Sequence, residues 1–237
     1  MQDDSATRRL ICSLPSRDHI LLDFDGTLGD TAEVVARPAV LAMRELGMTD
    51  EEIGDGTRLV GPPWPAGFMD IYGMDMETAT KVSKRAREIR KTTDQSAFPL
   101  FEGVPEFLEA LRDAGRTLVL VTSRETDYAA RTAHAKGIDG YFDAVIGQDD
   151  QTQPGKVPLV GKAFERYGVG PERCVFVGDR RYDVEAGKAW GVPTVGCLWG
   201  IGGREELEEA GADLLVSSFA ELQGLLLGGG GGSCQKG

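Results

Sequence analysis

Two carboxylates, Asp23 and Asp25, flank a single phenylalanine in the stretch ILLDFDGTLGD, directly after the apolar run Ile20-Leu21-Leu22. On an extended backbone, residues two apart face the same side. Close carboxylates repel each other and lose hydration, a cost that needs a compensating cation, proton or hydrogen bond. Further along the chain stand Thr122-Ser123, then Lys156, then Asp179 with Asp183 four residues on. The chemistry of this set is coherent. Acids suit a hard divalent cation, while a hydroxyl, an ammonium and backbone N–H groups suit a phosphate.

The elements that must position these groups alternate along the chain. Buried-strand patterns occupy 19–24, 117–123 and 174–179, with shorter ones at 144–146, 192–195 and 213–216. Helical patterns fall between and after them at 104–113, 125–136, 157–167, 183–190 and 219–226. Gly115, Gly137, Gly168 and Gly191 follow four of these helices, where a left-handed terminating residue is commonly needed. The alternation predicts an α/β fold, a Rossmann-like parallel sheet with helices on both faces. Ligands of such sheets bind beyond the carboxyl ends of the strands. Asp23 and Asp25, Thr122 and Ser123, and Asp179 all fall at such ends. Asp183 lies one turn into the next helix, and Lys156 opens a helix after a turn at Pro154-Gly155.

Residues 31–98 break the alternation. They contain helical stretches at 31–46 and 76–92 around the loop GPPWPAGF, and no convincing strand. The predicted organisation is an N-terminal extension at 1–18, a catalytic core at 19–30 and 99–227, a helical cap inserted at 31–98 after the first strand, and a flexible Gly-rich tail at 228–237. The basic run KRAREIRK, 84–91, reads as the solvated face of a cap helix.

The chain has 237 residues and a net charge of −12. That balance opposes binding to nucleic acid polymers and anionic membranes, because nothing neutralises their phosphates. A small anionic substrate remains compatible with it, since a local cluster of cations can oppose the global sign. No run approaches the ~18 apolar residues of a membrane span. Arg8-Arg9 and LICSLP resemble an export signal only superficially, because Pro15, Ser16, Arg17 and Asp18 cut the apolar part short. Cys12, Cys174, Cys197 and Cys234 show no metal-site spacing, and reduced thiols in a cytoplasmic protein are expected.

Four motifs, DFDGT at Asp23, VTS at Val121, GKVP at Gly155 and GDRRYD at Gly178, stand in an order and spacing that resemble the haloacid dehalogenase superfamily. The match is to its phosphatases with a helical cap. GPP in the cap and LWGIGGREELEEAGAD near the end are similar to the phosphoglycolate phosphatase-like or nucleotidase-like branch. The resemblance implies that Asp23 is a nucleophile forming an aspartyl-phosphate, while Asp25 protonates the leaving alcohol and then activates water. It implies that Thr122 and Lys156 hold the phosphoryl oxygens, with Ser123 reaching the substrate. It implies Mg²⁺ bound by Asp23, the Asp25 main-chain carbonyl, Asp179 and Asp183. Dehalogenases lack the second aspartate, so Asp25 favours phosphoryl transfer. Val157 departs from the proline that many relatives carry after the motif lysine.

The expectation is a Mg²⁺-dependent phosphatase of a small soluble phosphomonoester. A phosphomutase with the same covalent intermediate, or a non-catalytic binding protein on this fold, is the alternative. Arg58 and Trp64, beside the Pro-rich loop, are candidates for contact with the leaving group, although Trp64 and Phe68 also suit packing within a small helical domain. Arg124 fits a substrate contact or a surface role equally.

Overall fold

The computed structural model describes residues 4–92, 97–149 and 155–228. Helix α1 (Asp4–Ser13) precedes the first strand, β1 (His19–Leu22). Then come α2 (Ala32–Glu45), α3 (Asp50–Ile53), α4 (Ala66–Tyr72), α5 (Met76–Lys91) and α6 (Val104–Asp113). The sheet resumes with β2 (Thr117–Glu125), α7 (Thr126–Ala135), β3 (Ala144–Gln148), α8 (Lys156–Tyr167) and β4 (Cys174–Gly178). The chain continues through α9 (Arg181–Ala189), β5 (Thr194–Cys197), α10 (Gly203–Ala210), β6 (Leu214–Val216) and α11 (Phe219–Leu227). All six strands run parallel in the order β3-β2-β1-β4-β5-β6.

The period of two along each strand sorts its side chains between two cores. Ile20 and Leu22 of β1, Leu118 and Leu120 of β2, and Val175 and Val177 of β4 pack with Phe107, Leu108 and Leu111 of α6 and Leu222 of α11. Leu21, Val119, Val121 and Phe176 face the other way, onto Leu159, Val160 and Ala163 of α8 and Ala186 of α9. A sheet covered on both faces needs apolar residues at every position, and all four residues of β1 are buried. The α/β prediction holds. The six strands and five of the core helices lie where the patterns place them, with β2 running on to Glu125, and α10 is a helix the patterns did not name.

Between β1 and α6, the described residues form helices and no strand of the sheet. Val35, Ala39 and Met43 of α2, Trp64, Phe68 of α4, and Val82 and Ala86 of α5 bury themselves in a separate apolar cluster. Two contacts tie this insertion to the strand ends. The Ser123 hydroxyl donates to the Gly61 carbonyl at 3.1 Å, and the Arg180 guanidinium donates to the Val60 carbonyl.

In the N-terminal extension, α1 is helical and Leu10 packs against the main core. Cys174 and Cys197 are free and buried, but Cys12 is disulfide-bonded, against the expectation of reduced thiols. Sequence spacing carries no information about which sulfurs approach in space. The turn at Pro154 and the Gly-rich tail beyond Gly228 lie outside the described residues. No helix among the described residues is long and apolar enough to cross a membrane.

Candidate active site

The loop after β1 is folded on one carbonyl. The N–H groups of Thr27, Leu28 and Gly29 donate to the Phe24 oxygen at 3.3, 3.0 and 2.9 Å, and Gly26 N–H donates to Gly29 at 2.9 Å. Phe24 points into the core beneath, so Asp23 and Asp25 are held above it at the carboxyl end of β1. Both are buried.

The two acids do not share one counter-ion. Lys156, the first residue of α8, places its ammonium 2.7 Å from Asp23 Oδ1 and also bonds Asp183. Arg124, near the end of β2, takes both oxygens of Asp25 in a fork, with Nε at 2.7 Å and Nη2 at 2.5 Å. The guanidinium lies between aromatic faces, 4.9 Å from the Phe24 ring centroid and 5.0 Å from that of Tyr128. Nη1 also donates to the Thr132 hydroxyl at 3.2 Å. A planar, always-charged group in a fork fits a buried carboxylate in a way a surface arginine does not.

These partners separate the electrostatics of the pair. Burial opposes ionisation of Asp25, but the Arg124 charge and its hydrogen bonds outweigh burial and hold the carboxyl below its ordinary range. Asp23 goes the other way. Burial raises it well above the ordinary range, Lys156 offsets part of the rise, and Asp183, Asp179 and Asp25 add to it.

Asp23, Asp179 and Asp183 bring carboxylate oxygens within 4.8 Å of one another. Asp179 accepts from Thr27 Oγ1 at 3.2 Å and from the Ile201 N–H at 2.7 Å. Asp183 accepts from the Arg180 N–H at 3.1 Å. Burial and the neighbouring Asp183 push Asp179 up to about 7. Asp23 Oδ2 is buried and has no hydrogen-bond partner. With all three carboxylates ionised against one ammonium, the buried site would carry two net negative charges, equal and opposite to one divalent cation. The donor set, all oxygen with one orphaned lone-pair atom, therefore fits a hard divalent metal such as Mg²⁺. Asp25 stands outside this cluster with its side chain turned to Arg124.

A cavity of about 110 Å³ opens over Asp23, Asp25 and Lys156. Ser123 and Trp64 line it, but the Ser123 hydroxyl is engaged with Gly61. Thr122 is buried beneath the lining, where its hydroxyl accepts the Arg124 N–H at 3.2 Å. Arg58 does not line this cavity. It lines a second one with Arg180, Arg181 and Glu206, so the Pro-rich loop sends Arg58 and Trp64 to different sides. The basic run on α5 also departs from a wholly solvated face. Arg85 is exposed and pairs with Glu45, whereas Arg87, Arg90 and Lys91 line the cavity with Arg131 of α7. Their spacing of three and four residues, which puts them on one helix face, was the available signal.

The model of the haloacid dehalogenase-like hydrolases matches residues 20–197. The chain belongs to that family. It is 33% identical over 209 residues to the 5'-nucleotidase of Pseudomonas aeruginosa, covering 88% of this chain and 95% of that one. It is 31% identical to the phosphoglycolate phosphatase of Escherichia coli, over 86% of this chain and 90% of that one. Among solved structures, a predicted phosphatase from Clostridium acetobutylicum superposes with a TM-score of 0.84 at 30% identity, over 90% of this chain and 99% of that one. Membership as a haloacid dehalogenase-like hydrolase agrees with the resemblance carried by the four motifs.

Proposed function

We propose that this haloacid dehalogenase-like hydrolase is a phosphomonoesterase that removes phosphate from a small soluble ester by way of a covalent aspartyl-phosphate. The observation that carries the reading is the division of labour between Asp23 and Asp25. Asp23 has one oxygen on Lys156 and one without any partner, in a buried site facing the cavity. Asp25, two residues away, is held by a different cation. One carboxylate is thereby set to attack and the other to handle protons.

In the first step an Asp23 oxygen bonds to phosphorus and the ester oxygen leaves, taking a proton from Asp25. Asp25 must carry a proton for this step. In the second step Asp25, ionised and paired with Arg124, removes a proton from water as the water displaces Asp23 from phosphorus. Lys156 stabilises charge on the transferring group throughout, because its charge is fixed in a water-poor site. Ser123 lines the cavity beside the phosphoryl end, and Thr122 below it holds the Arg124 backbone in place. Asp23, Asp179 and Asp183 would hold the metal, which when bound supplies positive charge against the ester's own and favours the ionised nucleophile.

The helical insertion at 31–98 acts in this proposal as a cap that excludes water during transfer and opens for release. We assign the protein to the cytoplasm as part of this reading.

The test is release of phosphate from a panel of esters by the purified protein and by Asp23→Asn. The amide cannot form the acyl phosphate, so turnover should fall by at least about 1,000-fold with the fold retained. Near-normal turnover by Asp23→Asn would remove the covalent mechanism. Transfer of the phosphoryl group to a sugar hydroxyl instead of water would favour a phosphomutase.

A further inference from the structure

We infer that the leaving group of the substrate carries an anionic group of its own, a carboxylate or a second phosphate, and that Arg87, Lys91 and Arg131 receive it. This rests on the phosphomonoesterase reading above and specifies its substrate class.

The cavity's charge is opposite to that of the molecule. The chain carries −12, yet among the described residues the cavity wall presents Arg87, Arg90, Lys91, Arg124, Arg131 and Lys156 against three carboxylates. Two of those carboxylates are accounted for, since Asp23 pairs with Lys156 and Asp25 with Arg124. The remaining acid is Glu125, set in number against Arg87, Lys91 and Arg131 even when Arg90 is left aside.

The position of these cations matters as much as their number. The transferring phosphoryl group must lie against Asp23, at the carboxyl end of β1, where Lys156 and the metal-ligand set answer its charge. Arg87 and Lys91 come from α5 in the insertion, and Arg131 from α7. They form the wall supplied by other elements, against which the rest of the ester must rest. Arg87 is fixed there by a 2.9 Å bond from Nη2 to the Trp64 carbonyl. Trp64 in turn carries the Arg90 guanidinium 4.4 Å from its ring centroid.

A neutral leaving group offers nothing to this wall. Arg87 and Lys91 stand at i and i+4 on one helix face, where like charges repel. An anion between α5 and α7 relieves that repulsion and forms charge-assisted hydrogen bonds, the stronger kind.

The experiment compares kcat/KM for five phosphate compounds: ethyl phosphate, phosphoethanolamine, a nucleoside 5'-monophosphate, 2-phosphoglycolate and inorganic pyrophosphate. At least one of the last two should exceed ethyl phosphate by about 10- to 100-fold. Preference for 2-phosphoglycolate identifies a carboxylate, and preference for pyrophosphate a second phosphate. Arg131→Gln and Arg87→Gln, checked for folding by thermal melts, should each shrink that ratio by roughly tenfold. Ethyl phosphate or the nucleotide turned over as well as both anionic compounds overturns the inference. So does an equal loss on every ester in both arginine variants. Calorimetric binding of 2-phosphoglycolate, pyrophosphate and ethyl phosphate to Asp23→Asn reads the same preference without chemistry. Absence of all hydrolysis therefore defeats the phosphatase reading, while the binding ratio still decides this one.

Discussion

Arg124 sets the protonation behaviour of Asp25. Its charge and two hydrogen bonds overcome burial and keep the carboxyl ionised at lower pH than an ordinary aspartate. In the second step the group that accepts a proton from water must be ionised, so where that step limits turnover the rate rises with pH through that group's pKa. Arg124→Gln keeps a hydrogen-bonding amide but removes the charge, leaving burial to dominate and the Asp25 pKa to rise. The acidic limb of the pH–rate profile should therefore move to higher pH, with a lower plateau. An acidic limb in the same place would show that Arg124 only packs between Phe24 and Tyr128. Lysine is no substitute here, because it cannot reproduce the fork.

The loop between β1 and α2 holds together the acidic cluster that would bind the metal, by close approach of backbone to carboxylate. Gly26 has φ +79°, and a Cβ placed there would lie 2.2 Å from Asp179 Oδ2. Gly26→Ala must therefore displace Asp179 as well as strain the loop. Calorimetric titration should show Mg²⁺ affinity reduced by at least about 100-fold, following loss of a carboxylate ligand. Gly115, which ends α6 with φ +71°, has no heavy atom within 4 Å of the same virtual Cβ. Gly115→Ala should cost only about 1–2 kcal/mol of stability through backbone strain, with Mg²⁺ affinity unchanged. Equal effects of the two substitutions would mean that the contact with Asp179 is dispensable.

At the scale of the whole molecule, the buried acids would link metal binding to folding. Asp179 sits near 7, raised by burial and by Asp183, and Asp23 is raised in the same direction by burial. A carboxyl raised in the folded state stabilises the fold while protonated. Its contribution is complete below the unfolded value of about 4 and is lost as pH rises through about 7. Asp18 behaves oppositely. Its hydrogen bond from Arg173 holds it near about 2, so its contribution is present above about 4 and fades as pH falls toward about 2. The interval between about 4 and about 7 therefore reports the buried cluster. In EDTA the melting temperature should fall across that interval as pH rises. Mg²⁺ must displace the proton, so the gain in melting temperature it gives should be larger at about pH 8 than at about pH 6. A Mg²⁺ gain independent of pH would exclude Asp179 from the site.

The sequence by itself determined the sheet, its helices and the convergence of Asp23, Asp25, Ser123, Lys156, Asp179 and Asp183. Apolar runs and helical periods are local properties, and a parallel sheet brings the carboxyl ends of its strands together whatever the side chains there. Lys156 lands beside Asp23 even though Val157 follows it, because the first turn of α8 points at the end of β1. Tertiary structure alone decided how the acids are compensated and what faces them. The spacing of Asp23 and Asp25 left a cation, a proton or a hydrogen bond open as compensation, and the fold gives each acid a cation of its own, Lys156 and Arg124. Arg124 could be surface or site until β2 ran past Ser123 and turned its side chain inward over Phe24. Arg58 and Trp64, six residues apart, face separate cavities, and from a run read as solvated α5 contributes Arg87 to the wall of the site. Those outcomes depend on how the insertion seats on the strand ends, a contact between segments distant in sequence that no local pattern encodes.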